Sequence, residues 1–102
     1  MHREHLEFDR FFQVVAETAD AQAAQMTLAP GESTGGPTNY HPVADQWLFV
    51  HAGRGWAVVD GEEYPLEPGD LVRIDAGERH EIGADDDAAL ETLNLYVPPR
   101  GR

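Results

Sequence analysis

The chain has 102 residues, 41% hydrophobic and 25% charged, enough for one hydrophobic core and too short for a second domain. Acids outnumber bases 19 to 7, lysine is absent, and the formal charge of −12 opposes a nucleic-acid backbone. With no cysteine there are no disulfides, thiolate nucleophiles or Cys-ligated metal centres, so any metal must be held by His, carboxylate or amide oxygen.

Residues 1–10 mix His2, Arg3, Glu4, His5, Glu7, Asp9 and Arg10 and read as an arm or a helical turn, with His2 and His5 solvated. They hold no apolar leader segment, and nowhere do about 18 apolar residues run together, so the expectation is a cytoplasmic protein that binds no membrane. Beyond the arm no 3.6-residue periodicity is sustained, while turn signals recur about every 8 to 12 residues, the pattern of short antiparallel strands. Strands are predicted at Phe11 to Glu17 and Ala21 to Leu28, then a short extended piece at Thr38 to His41, and strands at Gln46 to His51 and Gly55 to Asp60. Asp60-Gly61 is a hairpin turn into Glu62 to Leu66. Leu71 to Asp75 and Arg79 to Ile82 are expected to pair across Ala76-Gly77-Glu78, and Ala88 to Val97 closes the sheet. About nine strands make residues 1–102 one all-β sandwich or barrel. The exposed edges of the N-terminal strand pair predict a homodimer.

Among the five histidines, His41, His51 and His80 have informative contexts. Alternation along a strand puts Asn39 on the face of His41, and an inward His41 allows Gln46, Leu48 and Val50 to point inward too, leaving His51 outward. Two imidazoles and one or two amide oxygens converging inside a barrel make a divalent-metal site.

At these residues the sequence resembles a small single-domain cupin, a member of the double-stranded β-helix or jelly-roll barrel superfamily. The first cupin motif, G-x5-H-x-H-x3,4-E-x6-G, maps onto Asn39, His41, Gln46 and Gly53. The second, G-x5-P-x-G-x2-H-x3-N, maps onto Gly69, Asp75, Gly77 and His80, with residues 54–68 between the motifs. The resemblance covers residues 28–97. It implies a divalent metal, Ni, Zn, Mn or Fe, held by His41, Gln46 and His80 with Asn39 as a fourth group. The chain departs from the pattern at Ser33, Asp75 and Ala84, and the usual three-His, one-Glu ligand set becomes two His and two amides. Gln in the Glu position has a precedent among small cupins similar to those that open unsaturated uronate rings.

Around that site Arg73 interrupts the apolar strand Leu71-Val72-Arg73-Ile74; facing inward it would recognise a ligand carboxylate, facing outward it would pair with an acid. Trp47, Phe49 and Trp56 read first as packing aromatics, with Trp56 also a candidate pocket residue, and Asn94 and Tyr96 share a strand face at a pocket mouth. The leading expectation is a small-molecule-binding cupin performing metal-assisted, Lewis-acid chemistry on a sugar-like or oxo-acid substrate. The alternatives are a metal-free, non-enzymatic metabolite-binding module and an iron-dependent dioxygenase.

Overall fold

In the computed structural model, which describes residues 1–35 and 41–100, eight strands form two facing antiparallel sheets and no helix occurs among the described residues. None is therefore long and apolar enough to cross a membrane. The strands are β1 (Gln13–Glu17), β2 (Gln22–Leu28), β3 (Asp45–Gly53), β4 (Gly55–Val59), β5 (Glu62–Leu66), β6 (Leu71–Ile74), β7 (His80–Ala84) and β8 (Leu90–Val97). The larger sheet has the order β1-β2-β8-β3-β6 and the smaller β5-β4-β7. Residues 38–40 of the expected Thr38 to His41 piece lie outside the described residues.

Period-two alternation decides what enters the barrel. Along β3, Gln46, Leu48 and Val50 are buried while Trp47, Phe49 and His51 are exposed. Along β8, Leu90, Thr92, Asn94 and Tyr96 are buried. Facing them from the smaller sheet are Ala57, Leu66, Ile82 and Ala84. Leu28, Leu48 and Leu90 are fully enclosed, each contributing about 1.5–3 kcal/mol of burial free energy. Asp60 and Gly61 both take positive φ, as a two-residue type I′ hairpin requires, and β4 pairs with β5 across them.

The hairpin expected between Leu71 to Asp75 and Arg79 to Ile82 does not form. β6 pairs with β3 (Gln46 opposite Ile74), whereas β7 pairs with β4 (Val59 opposite His80). The turn at residues 75–79 instead carries the chain from the larger sheet to the smaller one. It is tied to the segment before β3: the Gly77 N–H donates to the His41 carbonyl at 2.8 Å, and the Ala76 N–H to Asp45 Oδ1 at 2.8 Å. The arm before β1 is ordered against the barrel. Phe8 stacks on outward-facing His51 with ring centroids 4.4 Å apart, and its N–H donates to Gln25 Oε1 at 2.7 Å.

Candidate functional site

The backbone tie between Gly77 and His41 brings two histidines from distant parts of the chain together. Their ring centroids lie 5.2 Å apart. His80 is buried at the start of β7, and its Nδ1 sits 3.2 Å from the Glu78 carbonyl oxygen. A carbonyl only accepts, so Nδ1 carries a proton and donates to it.

Gln46 reaches the same place from β3 and is only 2% exposed. Its Nε2 donates to Asn94 Oδ1 at 2.9 Å, Asn94 Nδ2 donates to Thr92 Oγ1 at 3.0 Å, and the Thr92 hydroxyl donates to the Met26 carbonyl at 2.9 Å. This chain of bonds orients the Gln46 amide. Its Oε1 is buried and makes no well-formed hydrogen bond among the described residues, only a loose interaction with the His41 ring. A buried acceptor left without a well-formed bond costs about 1–3 kcal/mol, so it marks a place where a ligand, water or ion completes the structure.

Over these three side chains opens a cavity of about 540 Å³. Its apolar walls come from Phe11, Phe12, Met26 and Ile82, with Tyr96 and Arg100 at the side. Among the described residues no acidic side chain lines it. Burial lowers the His41 pKa, the nearby His80 and Arg100 charges lower it further, and Gln46 opposes them in part, so the ring is held as the neutral imidazole. Tyr96, whose ring meets His41 edge-on at 5.2 Å, has its hydroxyl pKa pushed up to about 12 by burial, against the influence of Arg100. It stays a neutral phenol.

The structure thus brings together His41, Gln46, His80 and Tyr96. Asn39 lies outside the described residues. Asn94 is buried beneath the cavity and orients Gln46; it does not line a pocket mouth as expected. Arg73 is not an inward-facing ligand for a substrate carboxylate: with Ile74 inward, alternation turns it out, where its Nε bonds Asp75 Oδ1 at 2.7 Å and its guanidinium lies 5.7 Å from the Trp47 ring. Trp56 packs its ring on Gly83 and lines a separate cavity at the opposite end of the barrel. Among the described residues no three His, Cys, Asp or Glu cluster, so any metal here relies on an amide. Sequence reasoning missed Phe12 and Arg100, which come from either end of the chain where no periodicity points to an inward position.

A two-sheet antiparallel barrel with paired histidines at one end defines the cupin class, and the chain belongs to the Cupin domain family, whose model matches residues 24–96. Among curated proteins it is similar to (R)-mandelonitrile lyase of Granulicella tundricola, with 38% identity over 90 residues covering 85% of this chain and 64% of that protein. It is also similar to the tetracenomycin polyketide synthase protein TcmJ of Streptomyces glaucescens, with 40% identity over 55 residues, 54% of this chain and 36% of that one. The chain spans less than two thirds of the length of either relative. Among solved structures, KdgF from Halomonas sp. matches with a TM-score of 0.79 at 27% identity, over 88% of this chain and 79% of that chain.

Proposed function

We propose that this cupin binds a small molecule at the His41–His80 end of its barrel and does so with a divalent metal held by His41 and His80 nitrogens and Gln46 Oε1. The observation behind this reading is the buried Gln46 Oε1, without a well-formed hydrogen bond among the described residues, beside two imidazoles, one of which meets the Glu78 carbonyl through Nδ1. Two nitrogens and an amide oxygen suit Ni, Zn, Mn or Fe. A neutral ligand set cancels none of the cation's charge, and the metal, when bound, supplies Lewis acidity toward a ligand carbonyl or carboxylate oxygen.

The chain's own side chains do the rest. Glu78 and Asn94 act on the outer side of the site, holding His80 and Gln46 in orientation. The Tyr96 hydroxyl, protonated throughout the physiological range, is a donor for a ligand oxygen. Phe11, Met26 and Ile82 exclude water from one side and accept an apolar body. The similarity to a protein named as a lyase of (R)-mandelonitrile supports a compact substrate with carbon-centred chemistry.

Elemental analysis of the purified chain before and after chelation, with a melting scan, tests this. About one metal per chain is expected. Readdition at a hundredfold over Kd should raise stability by about 2.7 kcal/mol. His41→Ala and His80→Ala should each lose stoichiometric metal; unchanged metal content in both would overturn the reading. That no described lining residue is a carboxylate favours one rival, a metal-free metabolite-binding module, which predicts melting indifferent to chelator and to added metal.

A further inference from the structure

Among the described arginines, Arg100 is the one that lines the His41–His80 cavity. Arg54 pairs with Glu67 at 3.3 Å and Arg73 with Asp75 at 2.7 Å. Arg100 has no acidic partner among the described residues, although the chain carries 19 acids to 7 bases. Its guanidinium carbon lies 4.1 Å from the Phe12 ring centroid and 5.5 Å from that of Tyr96. Phe12 is itself packed against the buried core, so the platform under the cation is anchored. A guanidinium held over aromatic rings keeps N–H donors free at its rim, where they match the two oxygens of a carboxylate.

We infer that Arg100, seated on Phe12 and Tyr96, is the specificity-determining residue of this cavity and selects a carboxylate ligand with an apolar body. Among the described residues Arg100 is the one arginine on the cavity lining, and no carboxylate is found there. The apolar lining residues Phe11, Met26 and Ile82 suit hydrocarbon or an aryl ring. A single guanidinium fits a monoanion better than a phosphate, which recruits several cationic or backbone donors. The inference rests on the reading that this cavity is a ligand site and is independent of whether it holds metal.

The test compares phenylacetate with its neutral isostere phenylacetamide by calorimetric titration, using chelator-treated chain and then zinc-saturated chain. Wild type should bind the carboxylate roughly tenfold to a hundredfold more tightly than the amide. Arg100→Gln should erase that preference in whichever form shows it, with no more than a small fall in melting temperature from the lost ring contacts of an exposed side chain. Arg100→Lys, charged but unable to bridge both oxygens, should keep a weaker preference. Equal affinity for the two probes, or no saturable binding of phenylacetate in either form, overturns the inference. A preference that needs zinc and survives in Arg100→Gln also overturns it, while leaving the metal reading standing. A preference that persists in chelated protein and vanishes in Arg100→Gln supports Arg100 even if the metal reading fails.

Discussion

Two cavities of similar size, about 540 and 620 Å³, sit at opposite ends of this barrel and differ in how their polar groups are engaged. At the end where Gly55 faces Ala84, Glu63, Glu67, Asp70 and Asp85 line the larger one together with Arg54 and Trp56. Several of these groups already have partners: Asp70 Oδ2 accepts the Glu67 N–H at 2.9 Å and Glu67 pairs with Arg54. At the end where Val59 faces His80, the polar groups are buried, oriented by one another, and leave the Gln46 oxygen without a well-formed hydrogen bond among the described residues. Volume alone would rank the ends the wrong way round. A buried acceptor that faces a cavity gains a missing interaction when something binds there, and of Gln22 Oε1, Thr27 Oγ1 and Gln46 Oε1 only the last lies on either cavity.

The sharpest way to set the two ends against each other is Gly53→Ala. Gly53 has φ +91°, and an added Cβ would overlap the Ala89 carbonyl, so backbone must move. A loss of about 3 kcal/mol or more is expected in urea unfolding, with metal binding by the remaining folded protein unchanged at the far end. Next in size is Asn94→Ala, which removes the partner of the Gln46 amide nitrogen. It should cost about 1–3 kcal/mol and weaken metal binding about 10- to 100-fold. Lost stability with full metal affinity would remove Gln46 from the ligand set.

Acid should expose the histidine end more gently. In chelated protein the His41 pKa is lowered in the folded state relative to the unfolded chain, so the unfolded state binds more protons as pH drops below about 6.5. The stability contributed by neutral His41 is complete above that pH and declines as pH falls toward the folded-state pKa. Melting curves of wild type and His41→Asn between pH 7.5 and 5.5 should diverge in that direction; parallel curves would contradict it. The smallest effect belongs to the acidic end: Arg54→Gln breaks an exposed ion pair and should change stability by no more than about 0.5 kcal/mol, with metal and probe binding intact.

Much of the binding end was legible in the sequence because strand geometry is local. Alternation alone orders Gln46, Leu48 and Val50 inward and His51 outward, and the Asp60-Gly61 turn declares its hairpin. The same rule, applied from Ile74, would have placed Arg73 outside. The cupin-like spacing of His41, Gln46 and His80 named the side chains that the structure gathers. Which strands pair could not be read this way: Leu71–Ile74 and His80–Ala84 are neighbours in sequence, yet their hydrogen-bond partners are β3 and β4, in different sheets. Equally hidden were the role of Asn94 beneath Gln46 and the meeting of Phe12 with Arg100, 88 positions apart, on one cavity wall. The sequence by itself determined which face of each strand is buried and which residues can ligate, since both follow from period and side-chain chemistry. Only the tertiary structure decided which of those groups meet and which cation comes to rest over aromatic rings at the cavity, because these depend on contacts between segments that carry no mark of each other.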